Sequence, residues 1–241
     1  MSKRIATYLF FFSLLVLGAG FAAKKYSVVK VTYVEIIGSD KLTAADIPVT
    51  VGDNLLNVEM KGILNSVMKH NFIATASVRP DYYGKITVTV TEKSPVGYVY
   101  LNQLYGITKR CELLPAGLND QGLQLPIIRG VNVKSPVCFS IIDDAALRSA
   151  ITFIETVKTR YPRSYDTLSE IVIENGELKL IIEPGSIVVH LGLGEFDSKI
   201  QRIEKILESN KNPGLDIDLR MVDLAVLKSR VSMDREVNNG I

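Results

Sequence analysis

The fold of the first half of the chain is decided by residues 60–91, MKGILNSVMKHNFIATASVRPDYYGKITVTVT. Its first part predicts an amphipathic helix, because apolar residues recur at helical spacing. These residues are Met60, Ile63, Leu64, Val67 and Met68. Residues 74–79 and 86–91 then alternate between apolar and polar side chains, with a turn at 81–84. We therefore expect a half-buried antiparallel strand pair whose apolar face is covered by the helix.

The residues before this helix complete the unit. Val28 to Ile37 is rich in β-branched and aromatic residues, which predicts a strand. Leu42 to Ile47 predicts a short helix capped by Thr43, and Asn57 is a suitable cap for the main helix. Val29 to Glu92 is therefore expected to form one folding unit with the order β-α-α-β-β.

From Gly97 onwards the pattern changes to short strands, predicted in residues 97–101, 104–114 and 125–130. A helix follows, with Asp143 as its expected cap and one apolar stripe. The stripe consists of Leu147, Ala150, Ile151, Ile154 and Val157. An Asn175-Gly176 turn between apolar runs predicts a hairpin within a strand meander.

A last helix and two closing strands end the predicted domain. The helix has Phe196, Ile200, Ile203 and Leu207 on one face. Residues 215–221 alternate and residues 224–227 are apolar, so both segments are expected to be strands. The fold class is thus α+β, with a small domain at 26–96, a mixed α/β domain on an antiparallel sheet at 97–230 and a polar tail at 231–241.

An uninterrupted apolar block, Ile5 to Ala23, lies near the start of the chain and contains no charged residue. As a helix, rising about 1.5 Å per residue, it is long enough to cross the hydrocarbon core of a bilayer. We expect an uncleaved single-pass transmembrane helix at 5–23, a short cytoplasmic tail at 1–4 and the folded remainder outside the cytoplasm. A cleavable signal peptide is the alternative, because the small residues from Gly18 to Ala23 suit a cleavage site.

Composition excludes several classes of function. The 28 basic and 26 acidic residues form no long basic run, which argues against a nucleic-acid surface. The two cysteines, Cys111 and Cys138, either pair or remain unpaired buried thiols. With only two histidines in the chain, metal sites and histidine-based catalysis are not expected.

No catalytic constellation is visible in the sequence. His190 belongs to an alternating strand and His70 ends a helix, where both suit structural roles. Gly192-Leu193-Gly194 lacks the spacing and the following Lys of a phosphate-binding loop. We therefore expect a non-enzyme with no catalytic residues, no cofactor and no metal site.

The order of the predicted elements resembles a POTRA domain, and more narrowly that of the FtsQ and DivIB family of bacterial cell-division proteins. The segments that carry the resemblance are 34–38, 52–58 and 90–96, with the amphipathic helix between the last two. Where the family has Pro-Trp-Val-like and Glu-Arg-x-Pro-like elements, this chain has His70-Asn71-Phe72-Ile73 and Glu92-Lys93-Ser94-Pro95. The second domain is similar to the FtsQ β domain through 125–130, 217–220 and 224–227.

The resemblance implies a bitopic scaffold of the division septum, held in the cell inner membrane with its bulk outside the cytoplasm. Its implied partners are FtsL- and FtsB-like proteins and, through them, the septal peptidoglycan synthase. A terminal strand at a sheet edge would suit this role, because its free backbone groups can pair with a partner strand. An interior strand is the alternative for this segment. The candidate partner-binding residues are Arg220, Met221, Val222, Leu224, Ala225, Val226 and Leu227.

A second function class is a POTRA-type chaperone or assembly factor for outer-membrane protein biogenesis or secretion. Such proteins usually carry several POTRA units or a large β-barrel. This chain contains one POTRA-like unit, which favours the cell-division role. A secreted wall enzyme would need a catalytic constellation that the sequence does not contain. The edge strand of the POTRA-like domain is a further expected contact surface, for which the sequence selects no residues.

Overall fold

The computed structural model describes residues 2–25, 29–120, 122–184, 186–210, 214–221 and 224–229. The chain divides into two compact units between Lys93 and Ser94. The expected boundary lies a few residues later, after residue 96. The expected polar tail, residues 231–241, lies outside the described residues.

Helix α1 (Ser2–Lys25) contains the apolar block, as the sequence predicts. Its described side chains are exposed, including Phe10 to Phe12 and Leu14 to Leu17. Among the described residues, no helix is both long enough and apolar enough to cross a bilayer.

The rest of the first unit is a three-stranded sheet covered by helix α2 (Met60–Met68). Strand β3 (Lys85–Glu92) lies in the middle, parallel to β1 (Tyr33–Ile37) and antiparallel to β2 (Ile73–Pro80). The expected inward set of β3, namely Ile86, Val88 and Val90, is buried. Ile63 and Val67 of α2 pack against it, which confirms the antiparallel pair and its covering helix.

Of two local expectations in this unit, one is confirmed in part and one is wrong. The first expected helix is present as a three-residue 3-10 helix, Ala44–Asp46, with Thr43 at its N-cap and the Asp46 carboxylate accepting the Thr43 N–H at 2.7 Å. It ends at Ile47, whose backbone is extended, as expected for a residue that precedes a proline. Asn57 does not cap α2, since it belongs to a second 3-10 turn, Leu55–Asn57, and Glu59 is the residue before the helix. The unit therefore has one α-helix among its described residues after α1.

The second unit is built on a nine-stranded sheet. Its strands are β4 (Gly97–Tyr100), β5 (Leu104–Ile107), β6 (Leu113–Leu114), β7 (Ile127–Arg129), β8 (Leu168–Glu174), β9 (Glu177–Ile182), β10 (Ile187–Gly192), β11 (Leu215–Asp218) and β12 (Val226–Ser229). Their order across the sheet is β12-β11-β10-β9-β8-β7-β4-β5-β6. The predicted meander is confirmed, with β8, β9 and β10 as antiparallel neighbours.

The sheet is mixed, whereas an antiparallel sheet was expected. Strand β7 is parallel to β4 and to β8, and β10 is parallel to β11. Helix α3 (Ala145–Arg160) connects β7 to β8, and helix α5 (Phe196–Ser209) connects β10 to β11. A helical crossover returns the chain to the same end of the sheet, so each of these helices imposes a parallel pair.

Both crossover helices pack on one face of the sheet and form the core of the second unit. The predicted stripe of α3 is buried there, as are Ile200 and Ile203 of α5. The cap of α3 is Asp144, whose carboxylate accepts the Leu147 N–H at 2.8 Å. Asp143, the expected cap, instead forms an ion pair with Arg148 on the surface. A short helix α4 (Pro162–Thr167) follows α3.

Candidate functional site

Strand β12 forms one edge of the nine-stranded sheet. It pairs antiparallel with β11, so that Val226 lies opposite Asp218 and Leu227 lies opposite Ile217. In the described part of the sheet, β11 is its neighbour and the other side of β12 carries no strand. Alternate backbone N–H and C=O groups of an edge strand point away from the sheet, so this edge can accept a further strand.

The side chains of this edge are apolar and exposed. All four residues of β12 are exposed, with 42% of Val226 and 43% of Leu227 accessible. Met221 and Leu224, which precede the strand, are also exposed. An exposed group of large apolar side chains on an edge strand is a feature of interaction surfaces.

The neighbouring strand is held firmly, in contrast to β12. Leu215, Ile217 and Leu219 are buried in the core of the second unit. The Leu219 N–H donates to the His190 carbonyl at 2.8 Å, which continues the pairing beyond the end of β11. Ala225 is partly buried against the same core. The edge strand therefore lies on a rigid base while contributing little buried surface of its own.

Arg220 lies at the end of β11 and takes part in a cluster of charged groups. Its guanidinium donates to both carboxylate oxygens of Asp218, at 3.0 and 2.6 Å, and lies 3.7 Å from Glu177. The hydrogen bond from Arg220 holds the pKa of Asp218 at about 2, and Asp218 in turn raises the pKa of Arg220. Gly192 has a φ of +65° and a Cβ there would meet the Arg220 Cγ at 3.3 Å, so the arginine stem crosses this glycine.

A cleft of about 160 Å³ lies beside this cluster. It is lined by Glu174, Asn175, Glu177, Leu178, Lys179, His190 and Arg220. Its volume is well below the roughly 300–1,000 Å³ of small-molecule sites. The His190 imidazole lies 3.3 Å from Asp216, which agrees with the structural role expected for this histidine.

The structure brings part of the predicted site together. Met221, Leu224, Val226 and Leu227 lie on the exposed edge, whereas Ala225 packs inward. Arg220 belongs to the ion-pair cluster, and Val222 lies outside the described residues.

Two residues of β12 are absent from the predicted site, Lys228 and Ser229. Ser229, the last residue of the strand, lies opposite Leu215. The sequence carried no periodic signal for this extension, because each side of β12 presents one apolar and one polar residue.

The described residues contain no group of three or more His, Cys, Asp or Glu side chains placed to hold a metal ion. Cys111 is buried and Cys138 is half-buried, and neither forms a disulfide. Burial raises the pKa of the Cys111 thiol. The two thiols thus correspond to the unpaired alternative.

A small three-stranded unit followed by a mixed-sheet unit that ends on an edge strand defines a two-unit α+β protein. No family model matches the chain. It is 26% identical over 174 residues to the cell division protein FtsQ of Myxococcus fulvus, which covers 72% of this chain and 61% of that protein. It is 25% identical to FtsQ of Anaeromyxobacter sp. strain K, over 67% of this chain and 55% of that protein.

The match to FtsQ of Geobacter sp. strain M21 is 26% over 181 residues, or 73% of this chain and 66% of that protein. The chain thus spans 55–66% of the length of these three relatives. Together with the matches to further FtsQ proteins, these similarities support membership of the FtsQ family, as the resemblance implied.

Proposed function

We propose that the chain is a non-enzymatic scaffold of bacterial cell division that binds an FtsB- or FtsL-like partner by strand addition to β12. The observation that carries this proposal is the exposed apolar edge at the end of the nine-stranded sheet. Main-chain hydrogen bonds would supply affinity, and Val226 and Leu227 would select the partner's side chains. The names of the relatives support a role in cell division.

We propose further that α1 anchors the protein in the inner membrane at the septum, with the rest of the first unit and the second unit outside the cytoplasm. The sequence supports this anchor, because Ile5 to Ala23 contains no charged residue and is bracketed by Lys3-Arg4 and Lys24-Lys25. The exposed phenylalanine and leucine side chains of α1 need an apolar environment, which lipid supplies. The partners would then be confined to the same membrane and would gather the septal peptidoglycan synthase.

The pairing is tested with two proline variants, Val226→Pro and Leu227→Pro. Neighbouring residues of a strand point their N–H groups in opposite directions, so one variant removes a donor toward the partner and the other a donor toward β11. The variant that loses the outward donor should keep its fold and lose binding of the FtsB-like protein encoded in the same genome. Pull-down and calorimetry measure the binding, and amide exchange of β11 reports the fold.

Matched side-chain variants complete the test. Val226→Thr keeps the β-branched shape and the backbone donor, so strand addition predicts that it retains binding. Ala225→Pro is a poorer probe than the variants at Val226 and Leu227, since Ala225 packs against the core. If both proline variants bind the partner as tightly as the natural chain while remaining folded, strand addition to β12 is wrong.

The cellular role is tested by depletion. Loss of a division scaffold should give filamentous cells with unfinished septa, and a fluorescent fusion should lie at mid-cell. The alternative, assembly of outer-membrane proteins, predicts instead a loss of those proteins with normal septation. Depletion that leaves division unaffected would contradict the proposed role.

A further inference from the structure

Apart from α1, one end of the first unit carries most of the exposed large apolar side chains among its described residues. Outside α1, the described residues of this unit expose Tyr33, Ile37, Val51, Leu56, Met68, Tyr82 and Tyr83. Tyr82 and Tyr83 are the extreme cases, with 97% and 85% of their surface accessible. They form the tip of the β2–β3 hairpin. Tyrosine side chains with this much exposed surface are unusual, because removing the apolar ring from water is favourable in free energy.

Two loops hold these side chains on either side of one segment, residues 29–32. In the hairpin tip, Gly84 accepts the Thr32 N–H at 2.9 Å, and Tyr83 accepts the Thr32 hydroxyl at 3.2 Å. Gly84 has a φ of +87° and lies so close to the Lys30 carbonyl that a Cβ would be only 1.9 Å from its oxygen. The tip is thus fixed against this segment.

The second loop is held in the same way. The Gly52 N–H donates to the Val31 carbonyl at 2.8 Å, and the Leu55 N–H donates to the Val29 carbonyl at 2.9 Å. Val51 and Leu56 flank these contacts and are exposed. Tyr33 follows the same segment directly along the chain. We call Tyr33, Val51, Leu56, Tyr82 and Tyr83 the aromatic rim.

The rim lies close along the chain to the end of α1. Four residue steps separate Lys25, the last residue of α1, from Val29. An extended chain covers at most about 3.6 Å per residue, so Val29 lies within about 14 Å of the end of that helix. If α1 spans the bilayer, its end at Lys25 lies near the headgroup level, and the rim is tethered within reach of that level.

We propose that the aromatic rim rests in the headgroup layer of the bilayer that α1 anchors, and so fixes the first unit on the membrane surface. This inference rests on the anchoring role proposed above. Tyrosine favours this layer, because its ring enters the apolar boundary while its hydroxyl stays hydrated. Lys30 belongs to the segment 29–32 that the two loops hold, and Arg79 lies near the end of β2, just before the hairpin tip. Anionic headgroups would complement the positive charge of both residues. The membrane contact would orient β1 and β2, the two edges of the small sheet, for other partners.

The absence of tryptophan from the chain provides a direct probe. Tyr83→Trp introduces a single indole into the rim of the full-length protein, and Met68→Trp introduces one at a matched exposed apolar position. Met68 is the last residue of α2 and is close in the chain to Phe72. The Phe72 carbonyl accepts the N–H of Lys93, which follows the end of β3. Met68 therefore lies toward the end of the sheet opposite the hairpin tip. At about 3.3 Å per residue, the seven steps from Lys85 to Glu92 separate the two ends by about 23 Å.

Each variant is reconstituted in phosphatidylcholine–phosphatidylglycerol vesicles, with or without bromine atoms on the upper acyl chains. Bromine should reduce the emission of the Tyr83→Trp protein to about half, because interfacial groups enter the boundary to about 5–10 Å. The Met68→Trp protein should show no such loss. Carbonate extraction of the same vesicles measures the anchor independently.

The rim contact would be overturned if bromine changed the emission of neither variant in protein that resists carbonate extraction. The anchor would be left intact by that result. That result would also be expected if the rim faced a protein partner. Removal of the full chain by carbonate would contradict the anchor and, with it, the rim contact. Selective quenching of the Tyr83→Trp protein supports both.

Discussion

Glu92 closes the first unit, and its replacement by glutamine is expected to loosen that unit. Its carboxylate accepts a hydrogen bond from Ser39 Oγ at 2.6 Å and lies 2.5 Å from Lys41 Nζ, while only 11% of its side chain is exposed. These contacts join the end of β3 to the loop after β1. Glu92→Gln keeps an oxygen for Ser39 and loses the charged contact to Lys41.

The expected cost follows from those contacts. A hydrogen bond to a charged group contributes about 1.5–3 kcal/mol, and the half-exposed Lys41 ammonium reduces this to about 1 kcal/mol. Protection from amide exchange in residues 85–93 should therefore fall about 5-fold, since about 1 kcal/mol corresponds to that ratio. Amide exchange measured on the full chain by mass spectrometry reports on residues 85–93 separately. It does not require the assumption that both units unfold together.

The direction in which the stabilisation by Glu92 changes with pH follows from the pKa of its carboxyl. Burial opposes ionisation of Glu92, yet the hydrogen bonds from Lys41 and Ser39 outweigh it and hold the pKa below its ordinary value. A depressed pKa in the folded state contributes stability above the ordinary glutamate value, and this stability is lost as the pH falls through the folded value. The difference between the natural chain and Glu92→Gln should accordingly disappear in acid.

Two further variants serve as controls. Lys41→Met should weaken the unit like Glu92→Gln, and the double variant should cost less than the sum of the two. Glu35→Gln removes an ion pair with Lys85 in which the glutamate side chain is more exposed than that of Glu92, and it should have a smaller effect. Additive losses in the double variant, or a loss that persists unchanged at low pH, would refute the proposed contact.

Further predictions concern the second unit. Ile217 is fully buried in the strand beside the edge, so Ile217→Ala should cost about 2–5 kcal/mol in urea unfolding. Val226→Ala should change stability by less than about 0.5 kcal/mol, because the Val226 side chain is exposed. Similar losses at the two positions would show that β12 belongs to the core. A maleimide reagent at neutral pH should label Cys138 in the folded protein and reach Cys111 only after denaturation, because Cys111 is buried and its pKa is raised. Rapid labelling of both thiols would contradict the packing around Cys111.

Much of the secondary structure could be predicted because its signals are local. The stripe from Met60 to Met68 and the Asn175-Gly176 turn depend on residues within one turn or one hairpin, and the structure confirms both elements. The local errors arose where a side chain competed for backbone groups. Asn54 accepts the Leu56 N–H and caps the 3-10 turn that contains Asn57, and Asp144 rather than Asp143 caps α3.

The candidate site could be predicted only in part. The segment 224–227 is apolar in the sequence, but an apolar run of that length suits an interior strand and an edge strand equally. Ala225 packs against the core while Val226 and Leu227 are exposed, and this difference depends on the position of β12 at the edge of the sheet, beside β11. The position of β11 depends in turn on α5, which connects β10 to β11 and makes them parallel neighbours.

The sequence by itself determined the elements, the apolar block at 5–23 and the family resemblance, because each depends on local periodicity or on residue order. The tertiary structure alone decided that β12 lies at an edge, that the sheet is mixed and that the exposed tyrosines gather beside the segment leaving α1. Strand order and loop packing bring together residues that are far apart in the chain. The crossover helices set the strand order, but they leave no signal in the sequence of the strands that they bring together.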